Sequence, residues 1–333
     1  MFIINSYSLA VIFCFITMLC WGSWANTSKV SSDKWPFPMF YWDYSLGMIL
    51  MTVIYGLTMG SIGDSGRSFI SDLQQADSGS ISSAFIGGVI FNLSNLILVA
   101  AIAVAGISVA FPVGVGLALV IGVIVNYIKN PEGNPVLLFA GVALVVVAIV
   151  VNALASSKVS KSKGSTSAKG ILLSVMAGII MGFFYRFVAD GMTLDFTSPE
   201  AGKMTPYSAA LIFSAGVFIS NFLWNTFFMY KPVEGSKSSY KDYFTNGTTK
   251  QHLFGILGGM IWLTGFLFNL IASDKAGPAI SYGLGQGATM VGAAWGVFVF
   301  REFKGAPPVI NRYLITMFVS FFAGLGMIII ARL

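Results

Sequence analysis

Ten apolar windows, each about 20 residues long and so able to cross a membrane as a helix, recur along the chain. They lie at 8–27, 40–60, 82–103, 106–128, 136–155, 170–190, 207–230, 252–273, 276–299 and 312–331. Charged residues make up only 10% of the 333 residues, against about 25% in soluble domains. The connections between windows are too short to hold a soluble domain. We therefore predict an all-α membrane protein with ten transmembrane helices.

The first window has an alternative interpretation as a cleaved signal peptide, because Ser23 and Ala25 fit a small-x-small cleavage pattern. No Lys or Arg precedes it, which argues against cleavage. Thirteen Lys and Arg residues fall in the loops after windows one, five, seven and nine, and five fall on the other side. Positive loops stay in the cytoplasm, so we expect both termini outside. The same loops explain the net charge of +6 without a nucleic-acid partner.

An internal repeat appears when the sequence is compared with itself at an offset of 171 positions, where nine identities fall within thirty ungapped positions. Gly87/Gly258, Gly88/Gly259 and Gly106/Gly277 are among them. Five spans per copy is an odd number, so the second copy enters the membrane from the opposite side. We expect two inverted five-helix repeats, 1–155 and 170–333, joined by a Ser- and Lys-rich cytoplasmic linker at 156–169. Inverted repeats are typical of secondary transporters that work by alternating access.

The composition argues against a metal site, a disulfide bond and an enzyme active site. His252 is the one histidine, and Cys14 and Cys20 stand six residues apart in one apolar window. On a helix they are separated by about 9 Å, beyond disulfide reach. We expect no metal, no cofactor and no enzymatic activity. The small-xxx-small glycine pairs, such as Gly255 and Gly259, indicate close helix packing.

Polar and aromatic side chains inside the windows are the candidate substrate contacts, because a polar group in a membrane must meet a partner or line a cavity. These candidates are Trp21, Trp24, Asn92, Asn95, Tyr185, Arg186, Asn221, Trp224, Trp262, Asn269, Tyr282 and Gln286. Amides and indoles without a charge cluster suit a small neutral polar solute that stacks and forms hydrogen bonds. The alternatives are interhelical hydrogen bonds for the amides, and interface anchoring or core packing for the tryptophans.

Two ionisable residues within the windows stand out. Asp43 is about one turn into the second window, where it is either a helix-start acid in the aromatic belt or the proton acceptor of a coupled transporter. Arg186 in the sixth window contacts substrate, extends towards the interface, or pairs with Asp190 four residues on.

Several segments resemble the ureide permease family. They are the Tyr41–Ser45 sequence YWDYS, Gly60-x-x-Gly63, Gly87-Gly88 with Asn95, the Tyr230–Val233 sequence YKPV followed by Tyr240 and Tyr243, and the Trp295–Phe298 sequence WGVF before Arg301-Glu302. The resemblance runs from about residue 7 to the C-terminus. It implies the ten-helix fold of the drug/metabolite transporter superfamily and proton-coupled uptake of allantoin, uracil or similar oxo-heterocycles.

Residues 163–170 depart from the nucleotide-binding loop of plant members, since they do not fit G-x-x-x-x-G-K-[ST]. ATP use is therefore unsupported, and the compact length suggests a bacterial inner-membrane member. We expect a secondary transporter that is a monomer or weak homodimer in lipid and imports a ureide or nucleobase with protons. The alternatives are monosaccharide uptake, as in sister families that carry glucose or rhamnose, and metabolite efflux.

Overall fold

The computed structural model describes residues 1–31, 35–159 and 168–333, and every regular element in these ranges is a helix. In chain order the helices are α1 (Tyr7–Ser23), α2 (Asn26–Ser31), α3 (Phe37–Leu57), α4 (Phe69–Gln75), α5 (Ser78–Ala105), α6 (Ile107–Lys129), α7 (Pro135–Val159), α8 (Ala168–Gly191), α9 (Pro206–Asn221), α10 (Trp224–Tyr230), α11 (Tyr240–Asn246), α12 (Thr249–Ala276), α13 (Pro278–Gly285), α14 (Ala288–Ala294) and α15 (Val309–Ile330). Within the described ranges, nine stretches are long and apolar enough to cross a membrane. They are α1 with α2, α3, α5, α6, α7, α8, α9 with α10, α12 and α15.

The predicted window at 276–299 is the one outside these nine stretches, because it is divided into three short helical pieces. α13 ends at Gly285, α14 begins at Ala288, and a π-helical turn follows from Trp295 to Val299. Glycine is a poor helix former, and Gly283, Gly285 and Gly287 crowd this point. The prediction of ten transmembrane helices therefore meets, in the described residues, nine membrane-length stretches, two of them made of paired shorter helices, and one further interrupted segment.

Helix starts follow local chemistry. Proline stands at the first position of α7, α9 and α13, where its missing N–H costs nothing. The Asp77 carboxylate accepts the backbone N–H of Ser80 at 2.6 Å and caps α5. Thr248 and Gln251 form a capping box that starts α12. These caps fix where the two longest helices, α5 and α12, begin.

Helices approach each other closely at glycines. A Cβ placed on Gly259 of α12 would lie 1.9 Å from the carbonyl oxygen of Tyr44 on α3. Gly47 of α3 packs in the same way on Ile256 of α12. Large apolar side chains such as Leu19 and Phe322 are exposed on the outside of the bundle, where lipid would cover them. The glycine pairs thus serve packing, as the sequence indicated.

One end of the bundle is held by a partly buried ion pair, the Arg67–Asp72 clamp, which joins α4 and the loop before it to the loop before α9. Arg67 donates to Asp72 at 2.9 Å, and the backbone N–H of Thr205 donates to the other carboxylate oxygen at 2.7 Å. Arg67 also donates to the carbonyl oxygen of Pro199 at 2.9 Å. The sequence analysis did not identify this network.

The predicted linker at 156–169 falls largely outside the described residues. α7 continues to Val159 and α8 begins at Ala168, and residues 160–167 are not described.

Candidate functional site

A layer of aromatic rings fills the middle of the bundle around Trp262 of α12. The Trp262 ring stacks on Trp21 of α1, with centroids 5.6 Å apart, and packs against Phe91 of α5 at 4.5 Å. Phe213 and Phe266 complete the layer, at 5.9 Å and 5.3 Å from Trp262. Rings from α1, α5, α9 and α12 therefore meet at one depth, and we call them the aromatic layer.

A second set of aromatic residues extends the layer along α3. Trp24 packs against Tyr44 with ring centroids 4.8 Å apart, and Tyr44 stacks on Tyr41 at 5.1 Å. The Asn95 amide donates to the Tyr41 hydroxyl at 3.2 Å. The Tyr44 hydroxyl is buried and has no hydrogen-bond partner among the described residues. The sequence analysis named Tyr41 and Tyr44 only within the resembling YWDYS segment, so it missed the contact of Tyr44 with Trp262, whose ring centroids lie 6.5 Å apart.

The interruption between α13 and α14 lies next to the aromatic layer. The Asn269 amide nitrogen donates to the carbonyl oxygen of Ser281 at 2.7 Å, and its amide oxygen is buried without a partner in the described part of the chain. A Cβ on Gly285 would lie 2.8 Å from that nitrogen and 3.0 Å from the Trp21 ring. Gln286, partly exposed, follows at the interruption itself. Trp21 and Asn269 thus meet at Gly285, and Gln286 is the next residue in the chain. We call these three residues, with Trp262, the central site.

The candidates on α8 and α13 have mixed surroundings. The Tyr185 and Ser281 hydroxyls lie 3.1 Å apart, so Tyr185 adjoins the central site through Ser281. Tyr282 donates to the carbonyl oxygen of Ala118 at 3.2 Å, which is an interhelical bond. Arg186 pairs with Asp190 on the same helix, the arrangement that the sequence offered as an alternative to substrate contact.

The remaining amides lie between α5 and the α9–α10 junction. Asn92 donates to the Ser220 hydroxyl at 2.7 Å and to the Val217 carbonyl at 3.1 Å, so its nitrogen holds two helices together. Both polar side-chain atoms of Asn221, and the indole nitrogen of Trp224, are buried without partners among the described residues. These groups form a second polar region beside the central site.

Asp43 is buried rather than wet, with 2% of its surface exposed. Its carboxylate accepts the hydroxyl of Tyr243 at 2.6 Å and lies 2.9 Å and 3.0 Å from Nδ1 of His252. Trp35 packs over both partners, with ring centroids 6.0 Å from Tyr243 and 5.4 Å from His252. Burial raises the pKa of Tyr243, and the bond to Asp43 adds to this effect, so the phenol stays protonated and donates.

Tyr243 and His252 are site residues that the sequence did not assign. Tyr243 appeared only within the resembling segment after the Pro-Val loop, and His252 only as an unpaired histidine. The sequence offered one signal. His252, the sole histidine, opens the eighth window, and Asp43 lies about one turn into the second window, so both are near the start of a span.

Apolar membrane-length helices around a buried layer of aromatics and amides define this protein as a multi-pass membrane protein. The sequence profile of the ureide permease family matches residues 40–168 and 152–331. The chain belongs to the ureide permease family.

Relatives match over nearly the whole chain. Ureide permease 1 and ureide permease 2 of Arabidopsis thaliana are 25% and 24% identical, each over 98% of this chain and 98% of the relative. Probable ureide permease A3 of Vigna unguiculata is 23% identical over 83% of this chain and 91% of its own. A solved structure titled only as the crystal structure of a protein has the same fold, with a TM-score of 0.58, 15% identity and 96% of each chain covered.

Proposed function

We propose that this permease imports a small neutral ureide or nucleobase together with protons, by alternating access around the central site. The observation that carries the proposal is the central site itself, where the Trp21 ring stacks on Trp262 and meets the Asn269 amide at Gly285, with the amide oxygen buried and unpartnered among the described residues. The names of the plant relatives agree with it.

The chemistry of a ureide complements these groups. A ureide is flat and alternates N–H donors with carbonyl acceptors, so one face stacks on indole and its edge pairs with carboxamides. The Asn269 oxygen requires a donor, and Gln286 offers both a donor and an acceptor. Arg186, the one cation among the predicted substrate contacts, forms an ion pair with Asp190. This pairing favours a neutral solute over an anion.

Asp43 is the proposed proton carrier, because its partners differ from those of the other shielded acids. Asp72 pairs with the guanidinium of Arg67, and Asp274 pairs with the ammonium of Lys275 at 2.8 Å. Protonation of either carboxylate would leave the charge of its permanent cation unpaired. Among the described residues, the partners of Asp43 are His252 and Tyr243, neither of which is a permanent cation. Protonation of Asp43 therefore leaves no fixed charge unpaired.

Alternating access requires two halves that can rock, and the proposed inverted repeats supply them. Equivalent glycines make equivalent contacts: Gly88 packs on the backbone of α9 as Gly259 packs on α3. Gly106 and Gly277 end α5 and α12 with φ of 77° and 80°. These pairs support the division into 1–155 and 170–333, with both termini outside as the loop charges favour.

A cavity of about 320 Å³ lies between the start of α3, the end of α5 and the loop after α10. Leu96 and Val99, which line it, flank Asn95 by one and four residues. Under the proposed orientation it faces the cytoplasm. It provides an exit for substrate that has passed the aromatic layer.

The test is uptake into proteoliposomes that contain the purified protein, with labelled allantoin, uracil and glucose supplied separately. We expect accumulation of allantoin or uracil, and competition between them, with glucose excluded. A Trp262→Leu variant of equal reconstitution should lose stacking and take up less. Accumulation of glucose alone would overturn the proposed substrate class.

A further inference from the structure

Helix α11 contacts the bundle through two tyrosines on one face. Tyr240 and Tyr243 are three residues apart, which places them on the same side of a helix. The Tyr240 ring packs against Trp42 at 5.7 Å, and its hydroxyl forms a hydrogen bond with the Thr226 hydroxyl. Tyr243 reaches Asp43, the residue after Trp42 on α3. The helix therefore lies across the ends of α3, α10 and α12.

The rest of α11 is weakly attached. None of its residues is buried, and Phe244 is 78% exposed. The helix has seven residues and begins at a capping box formed by Ser239 and Asp242. Elements with few buried contacts open more readily than the core around them. The two tyrosine contacts are thus the principal attachment of α11 to the bundle.

We infer that α11 is a gate over this end of the bundle, and that His252 and Tyr243 are positioning residues that couple its opening to the proton on Asp43. The inference rests on the proposed proton coupling at Asp43. An ionised Asp43 accepts both the Tyr243 hydroxyl and the His252 ring N–H, which are strong charge-assisted bonds. The Tyr243 bond attaches α11 to α3, and the His252 bond holds the carboxylate that accepts it. Together the two bonds keep the gate closed.

Protonation weakens this attachment directly. When a proton from water binds one carboxylate oxygen, that oxygen becomes a donor and the negative charge that attracts both partners is lost. The backbone of α12 lies close against the Asp43 side chain, because a Cβ on Gly255 would lie 2.4 Å from Asp43 Cβ. Release of Tyr243 then frees the face of α11 that covers Trp42. At the opposite end, the Arg67–Asp72 clamp contains a permanent cation and provides no comparable release.

The other charged groups on the surrounding elements are engaged elsewhere. Lys29 of α2 lies over the Phe300 ring at 4.2 Å, and Lys250 of α12 lies over Phe254 at 5.9 Å. The Ser239 hydroxyl and backbone N–H hold the pKa of Asp242 below its ordinary value, so the cap of α11 stays ionised while Asp43 titrates. Lys241 of α11 does not contact Asp43 in the described residues, which exclude 32–34. Among the described residues, Asp43 with its partners Tyr243 and His252 is therefore the group through which pH acts on the gate.

Hydrogen–deuterium exchange of the α11 backbone in the purified full-length protein tests the inference, with each rate corrected for intrinsic exchange at that pH. At one neutral pH, Tyr243→Phe, His252→Gln and Asp43→Asn should each speed exchange in α11 by about five-fold or more, the size expected for one lost hydrogen bond. Tyr243→Phe removes only a hydroxyl and guards against misfolding. The control is Asp72→Asn at the opposite end, which should leave α11 exchange unchanged.

Acidification should speed α11 exchange in the parent and not in Asp43→Asn. The pH profile of uptake should shift in His252→Gln and Tyr243→Phe, which a purely structural role would not cause. Proton-driven uptake through Asp43 with unchanged α11 exchange in all three variants would overturn the gate and leave the proposed function standing. Faster α11 exchange in the variants without any proton-driven uptake would retain the gate and overturn the proposed coupling.

Discussion

Replacing Gly259 with alanine is expected to separate the two helices that carry Tyr44 and Trp262. The added Cβ would lie 1.9 Å from the Tyr44 carbonyl oxygen, 2.8 Å from its carbonyl carbon and 2.9 Å from the Met48 nitrogen. Nonbonded heavy atoms settle at about 3.5 Å, so α3 and α12 would have to move apart by about 1 to 1.5 Å. All three neighbours are backbone atoms, and no rotamer change relieves the clash.

Overpacking of this kind costs about 1–3 kcal/mol. Gly259→Ala should therefore lower the thermal unfolding temperature of the purified protein by several degrees in a fixed detergent. The matched control is Gly326→Ala, also a glycine within a membrane-spanning helix, where no heavy atom lies within 4 Å of the new Cβ. That variant should unfold at or slightly above the parental temperature, because alanine restricts the unfolded chain. Equal unfolding temperatures for the two variants would refute the close contact of α12 with α3.

Three further outcomes are expected from other parts of the molecule. Gln286→Ala should raise the apparent KM for uptake several-fold, because one hydrogen bond to a neutral solute contributes about 1 kcal/mol; unchanged kinetics would remove Gln286 from the central site. Arg67→Ala should destabilise the fold by about 3–5 kcal/mol, because it leaves buried Asp72 without its cation; denaturation of the purified variant measures this, and a parental midpoint would contradict the clamp. In a background without native cysteines, an impermeant thiol reagent applied to intact cells should label Ser71→Cys and not Ser236→Cys, both exposed positions; the reverse pattern would invert the proposed orientation.

The helices were predictable because span length and apolar composition are local properties. Nine of the ten windows correspond to membrane-length helical stretches in the described residues. The window at 276–299 looked equally apolar, and its interruption depends on where Gly285 meets Asn269 and Trp21, a contact between distant segments. The average hydropathy of a window does not show where a helix within it is interrupted.

The site was only partly predictable, for the same reason. Trp21, Trp262 and Asn269 were chosen singly for their depth, and the structure places them together. Asp43 was chosen as the acid within a window, but His252 lies 209 positions away and Tyr243 lies 200 away. Only the packing of α11 and α12 against α3 brings these partners to the carboxylate. That packing also buries Asp43, a property that its position about one turn into the window did not reveal.

The most direct test of proton-coupled ureide transport is accumulation of labelled allantoin or uracil in proteoliposomes under an imposed pH gradient, comparing the parent with Asp43→Asn. The account predicts that the parent concentrates substrate only when the gradient is present. Asp43→Asn should fail to concentrate it and still exchange internal for external substrate, because a neutral amide imitates the protonated acid. Gradient-driven accumulation by Asp43→Asn equal to that of the parent would contradict the central claim.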